Sequence, residues 1–147
     1  LAVASPHAAV ALQATWALAN LSVDCECKEA MVYLDTVPQL MEVLQAQQPV
    51  TPAEPQPQPT KKQRKQQEQQ LLLQVQQQQQ LLRCLSNLLT LPECREQLAT
   101  CEGGLAALLR HAQPLSPPCG AGPSEDEMRL VACRVLANVT IDAPLAR

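Results

Sequence analysis

Aromatic residues are nearly missing from this chain: Trp16 and Tyr33 are the only two, and Phe is absent. A compact core normally uses several, because each buries a large area. The chain has 147 residues, enough for one domain with a real core. A thin Leu/Ala core in an elongated helical stack fits that length with so few rings. Long apolar runs are also missing. None reaches 18 residues, so no transmembrane helix is expected. Positive charge is in short supply, with 11 Lys and Arg against 14 Asp and Glu. The net charge of −3 gives no global drive toward nucleic acid.

Catalytic and ligand-binding sets are absent too. His7 and His111 lie in opposite parts of the chain, and no nucleophile–His–acid set forms around either. Cys25 and Cys27 have no matching second pair, so no metal site is expected. Gly103-Gly104 fits no phosphate-loop pattern and reads as a turn. The expectation is a protein that is not an enzyme and carries no cofactor.

What is present is apolar and helical. Apolar residues make up 46% of the chain, chiefly Leu, Ala and Val. Of seven Cys, an odd number, Cys84, Cys94, Cys101 and Cys133 fall inside apolar helical patterns. Reduced, buried thiols in an intracellular protein (cytoplasmic, nuclear or both) fit better than a disulfide framework. The opening "LAVASPHAAVALQATWALA" has no basic start and reads as helix rather than as a leader. The chain begins without Met inside this pattern, which suggests a fragment of a longer protein.

A short word recurs. "WALANLS" (16–22) has weaker copies in "RCLSNLLT" (83–90) and "RVLANVT" (134–140). The central residues are Asn20, Asn87 and Asn138, spaced 67 and 51 residues apart. Two residues before each Asn stand Leu18, Leu85 and Leu136; one after stand Leu21, Leu88 and Val139; six before stand Ala14, Leu81 and Ala132. These offsets share one face of a 3.6-residue helix. "CKEAMVYLDTVPQLMEVL" follows the first copy and "CREQLATCEGGLAALLRHA" the second. Each reads as a short helix, a turn and a longer helix. Asp24 is placed to cap the first short helix, Asp35-Thr36 makes the turn with Pro38 after it, and Gly103-Gly104 makes the second turn.

The unequal spacing follows from two insertions. A three-helix unit runs to about 42 residues, and the intervals exceed it by about 25 and about 9. Residues 46–69 are Gln/Pro-rich and are expected to be disordered. Residues 113–123, rich in Pro and Gly, read as a loop insertion. Both fall between the second and third helices of the unit, and repeat proteins tolerate insertion at such a fixed loop. The third helix of the second unit is expected to start near Leu71. The last one is expected to start at Ser124, which forms a capping box with Glu127.

"ALQATWALANLS", "TVPQLMEVL" and "CREQLATCEGGLAALL" together resemble the armadillo repeat family, and the likeness covers roughly 110 residues of the chain. It implies an all-α fold over residues 1–147: a right-handed superhelical solenoid of three-helix repeats, incomplete at both ends, where further repeats of a parent chain would stack. It also implies a groove, lined by the third helices, that binds an extended peptide segment of a partner protein. Groove roles for Asn20, Asn87 and Asn138 follow from the family's Asn, which hydrogen-bonds the ligand backbone. One turn earlier, Trp16 matches the family's Trp, whereas Arg83 and Arg134 depart from it.

Those two guanidinium groups favour acidic or phosphorylated segments. The resemblance therefore implies a non-catalytic interaction scaffold. A nuclear-import adaptor recognising basic signals is one alternative, and a targeting module of a larger enzyme such as a ubiquitin ligase is another. "KKQRK" (Lys61, Lys62, Arg64, Lys65) fits a nuclear-localisation run in an exposed linker, although such runs are usually plain solvated charge.

Overall fold

The computed structural model describes residues 8–47, 61–112 and 123–141, and these residues are all helix and turn. The helices are α1 (Ala8–Leu21), α2 (Cys25–Tyr33), α3 (Thr36–Ala46), α4 (Lys61–Leu88), α5 (Pro92–Thr100), α6 (Gly104–Ala112) and α7 (Pro123–Thr140). The local signals explain most of the boundaries. The Asp24 side chain accepts from the Cys27 backbone N–H at 3.0 Å and caps α2. That bond is the main reason its carboxyl titrates below the ordinary value. Pro92 occupies the first turn of α5, where its missing N–H costs nothing.

The turn before α3 and the turn before α6 are the same device. Asp35 (φ 48°) and Gly103 (φ 68°) are both left-handed, each immediately before the helix. Within the expected Asp35-Thr36 turn it is Asp35 that takes the left-handed place. Asp tolerates this region better than most residues. Each turn is also held from the other unit. Gln97 Nε2 donates to Val32 O at 2.8 Å and to Asp35 Oδ1 at 3.0 Å. Gln45 Nε2 donates to Glu102 O at 3.0 Å.

α4 differs from expectation. It begins at Lys61, ten residues before Leu71, and runs for 28 residues. The insertion expected to be disordered over 46–69 therefore contains helix from Lys61 onward, and Ala46 belongs to α3. Nothing from Lys61 to Leu88 is Pro or Gly, and Lys, Arg, Gln and Glu are good helix formers. Their propensity outweighs the unfavourable cations at the helix start. Residues 48–60 of that insertion, 113–122 of the other, and the side chain of Ser124 lie outside the described residues.

α4 lies between α1 and α7, while α3 packs against α4, α5 and α6, and α6 against α7. Comparing equivalent positions shows how α1, α4 and α7 are built. One stripe of α4 is Gln77, Leu81, Cys84 and Leu88, all buried. Its α7 equivalents are Met128, Ala132, Val135 and Val139, all buried or half-buried. In α1 the same places hold Val10, Ala14, Ala17 and Leu21, of which Val10, Ala17 and Leu21 are exposed.

A second stripe of α4 is Gln78, Leu82, Ser86 and Leu89, again all buried. Its α1 equivalents, Ala11, Thr15, Ala19 and Ser22, are buried as well. In α7 they are Arg129, Cys133, Ala137 and Thr140, of which the last three are exposed. α4 and α7 thus have a front stripe that covers the preceding helix of the row, and α1 and α4 a back stripe that the following helix covers. At 100° per residue the two stripes sit about 120° apart. Between the stripes lie Leu18, Leu85 and Leu136, which belong to one core with Val37, Leu40, Met41, Leu44 and Leu108.

Thiol labelling tests this burial. Burial pushes the Cys84 thiol up to about 11, and Cys94 is raised for the same reason. In the folded chain Cys25 and Cys133, both exposed, should react with an aromatic disulfide reagent, while Cys84 and Cys94 should react only at the rate of unfolding. Mass spectrometry of quenched samples reads the order. A second expectation concerns Gly103. Placing a Cβ at φ 68° in Gly103→Ala should cost about 1–2 kcal/mol, read as a lowered midpoint in thermal unfolding.

Candidate functional site

The third face of α1, α4 and α7 carries the polar residues. On α4 it runs through Gln80, Arg83 and Asn87, spaced three and four residues apart, so successive turns present them together. On α7 it runs through Glu127, Val131 and Arg134. These six side chains, with Val23 beyond α1 and with Gln79 and Ser86 of α4, line one open cavity of about 360 Å³. Arg83, Asn87 and Arg134, three of the six residues expected in a groove, are therefore brought together. Trp16, Asn20 and Asn138 do not contribute to its lining. Trp16 stands outside the core with half of its surface exposed (51%).

The cavity's charges are two guanidinium groups and one carboxylate. Among the described residues, neither Arg83 nor Arg134 forms an ion pair, whereas Arg129 on the same helix as Arg134 pairs with Asp126 at 2.8 Å. Both arginines are exposed at the cavity's rim, so their charge is available without first breaking a contact. Val23 and Val131 supply apolar wall. Gln80 adds an amide oxygen that is buried and has no hydrogen-bond partner.

The three Asn residues do not act alike. Asn87 Nδ2 donates to Ser22 Oγ at 3.0 Å and, at 3.4 Å, to Ala19 O. Asn138 Nδ2 donates to Ser86 O at 2.8 Å. Ala19 and Ser86 each stand one residue before the Asn of their own helix. The asparagine of one helix thus ties itself to the helix before it, at the same place both times. Asn20 is exposed, and no hydrogen bond of its side chain is recorded. The expected groove role is consequently modified for Asn87: both its amide hydrogens serve the helix interface, and its Oδ1 is what remains for a ligand.

Lys61, Arg64 and Lys65 are exposed on the first turns of α4, in a helix rather than in the expected linker; the side chain of Lys62 lies outside the described residues. Glu127, Gln80 and Val131 were not among the expected site residues. The signal was available, because Gln80 and Val131 each lie seven residues before an Asn and Glu127 seven before Arg134. Seven residues are two helical turns, hence the same face. Among the described residues no cluster of His, Cys, Asp and Glu could hold a metal ion, and no helix is long and apolar enough to cross a membrane.

No protein-family model, curated protein or solved structure matches this chain. What can be said of the site therefore rests on its own residues.

The two kinds of Asn are separable by mutation. Asn87→Ala removes both hydrogen bonds that tie α4 to the end of α1 and leaves the Ala19 carbonyl with the Ser22 hydroxyl alone, so a loss of about 1–2 kcal/mol is expected in urea unfolding. Asn20→Ala touches no recorded bond and should stay within about 0.5 kcal/mol of the parent.

Proposed function

We propose that this chain is a non-catalytic protein-interaction module of armadillo type, whose α1–α4–α7 row binds an extended, acidic segment of a partner protein. In this reading α2–α3 and α5–α6 are the first and second helices of two repeats, α4 and α7 are the third helices that follow them, and α1 is the third helix of a repeat before. The row forms a right-handed superhelical stack with its polar face as the groove. The matching left-handed turns and the repeated Asn-to-carbonyl bond support that arrangement.

The observation that carries the function is the cavity itself. Arg83 and Arg134, on neighbouring helices, converge on one concave site with neither of them ion-paired. A guanidinium presents several N–H donors in a plane and pairs with carboxylate or phosphate by two parallel bonds. The Oδ1 of Asn87 accepts from a backbone N–H of the ligand, whatever that ligand's sequence. Val23 and Val131 cover an apolar side chain beside the acidic one. Glu127 acts as a counter-selector: it repels a ligand with anions at every position and admits one whose acidic residue meets the arginines.

Arrays of acidic, neutral and basic peptides test this directly. The chain should retain acidic peptides at low ionic strength and lose them as salt rises. Arg83→Glu or Arg134→Glu should weaken acidic-peptide binding by about tenfold or more, because an attractive contact becomes a repulsive one. Glu127→Gln should strengthen it. Preferential capture of Lys/Arg-rich peptides, with Arg83→Glu and Arg134→Glu enhancing it, would point instead to a nuclear-import adaptor. No change in binding to any peptide with any of the three substitutions would end the groove model.

A further inference from the structure

We infer that the cavity between α4 and α7 takes a segment whose acidic residue has a lysine within three residues of it, with the lysine ammonium held by Gln80 Oε1 and the Glu127 carboxylate. The inference rests on the groove reading above and adds what the ligand carries beside its acid. Its starting point is the order of the lining residues along the two helices. Asn138 donates to Ser86 O, one residue before Asn87, so positions 51 residues apart on α4 and α7 stand side by side. Arg83 and Arg134 are such a pair, and so are Gln80 and Val131. Glu127 stands beside Gln76. The two arginines therefore share one level. Gln80 and Val131 lie about one turn toward the helix starts, and Glu127 about one turn further. Arg134 and Glu127 are seven residues apart, which is about 10.5 Å along the axis.

The two levels beyond the arginines both offer acceptors that the protein leaves open. Gln80 Oε1 is buried, and among the described residues no group donates to it. A buried acceptor without a partner costs free energy, and a donor brought by a ligand recovers it. Glu127 is exposed, and among the described residues no cation pairs with it. Arg129, two residues on, is held by Asp126 at 2.8 Å. Across the cleft the α4 residue level with Glu127 is Gln76, which is neutral. The cavity thus has a donor end, made by two guanidinium groups, and an acceptor end, made by an amide oxygen and a carboxylate.

One ligand group answers both acceptors. A backbone N–H or a hydroxyl brings a single hydrogen and no charge. A lysine ammonium brings three N–H donors and a positive charge, so it can donate to Gln80 Oε1 and to Glu127 together. Val131, level with Gln80, gives the lysine's carbon stem an apolar surface to lie on. An extended chain advances about 3.3 Å per residue. An acid and a lysine within three residues of each other span the distance from the arginines to Glu127. Eight residues apart, in an extended ligand, they overshoot it. Glu127 then acts with opposite sign on two kinds of ligand: it turns away a second anion and draws in a cation.

Fluorescence anisotropy on the full chain at low ionic strength tests this with four peptides of equal length. Each carries one acidic residue. The first adds norleucine two residues away, the second lysine at that place, the third lysine eight residues away, and the fourth a second acidic residue two away. The second peptide should bind about three- to fivefold more tightly than the first and the third, the size of one solvent-exposed ion pair. Glu127→Gln, a change of charge at an exposed position, should erase that gain and strengthen the fourth peptide. Gln80→Leu should shrink the gain. Acidic peptides that bind through Arg83 and Arg134 equally well with lysine or norleucine overturn this inference and leave the groove reading standing. The same follows from a gain that is equal at both spacings, or one that survives both Glu127→Gln and Gln80→Leu. Absence of binding, or binding indifferent to Arg83→Glu and Arg134→Glu, overturns the groove reading and this inference with it.

Discussion

Everything in this molecule depends on one helix being buried from two sides. α4 has α1 on one flank and α7 on the other, with α3 beneath. To meet all three it must carry apolar or small side chains on more than half of its circumference, which Leu81, Leu82, Cys84, Leu85, Ser86, Leu88 and Leu89 do from Leu81 onward. What is left over is a single narrow face, and the arginine and asparagine sit there. The polar site is thus a by-product of the packing requirement: only that face could be polar without leaving a charge buried and unpaired.

The same requirement explains the shortage of rings. A helix flanked by two equal neighbours has room for Leu, Val, Cys and Ala but little for a bulky planar side chain. Trp16 and Tyr33 accordingly lie outside the shared core, at 51% and 88% exposure. Glutamine fills an unexpected role in its place. Gln45, Gln78 and Gln97 each spend their amide on a backbone carbonyl of another segment: Glu102, Gln47 and Val32 respectively. Long amide side chains bridge the seams that an aromatic-rich protein would close by area.

Much of this was legible in the sequence, for stated reasons. The three Asn-centred copies identify α1, α4 and α7, since their apolar offsets follow a helical period. Asp24 marks the start of α2, and the Gly103 turn marks that of α6. The start of α4 was missed because residues 61–70 have no apolar periodicity to read and open with cations, while their helical propensity acts residue by residue without leaving a pattern. The turn at Asp35-Thr36 was legible, but not that Asp35 would take the left-handed backbone, because an aspartate there looks like an ordinary helix cap. The asparagines were the hardest. A side-chain amide pairs as well with a neighbouring helix's carbonyl as with a ligand's, and only coordinates distinguish Ala19 O from a peptide bond brought by a partner. Glu127 and Gln80 were within reach, two turns from residues already singled out.

The Asn-to-carbonyl bond has a direction. Asn87 donates to α1 and Asn138 to α4, never forward to a helix that comes later in the chain. During synthesis the acceptor is therefore always made before its donor. When Asn87 leaves the ribosome, the Ala19 carbonyl and the Ser22 hydroxyl already exist, and α4 can be fixed in register before α7 has been translated. The α1–α4 contact needs only residues already made when Asn87 appears, so each helix of the row can be set on one already laid, like courses of masonry.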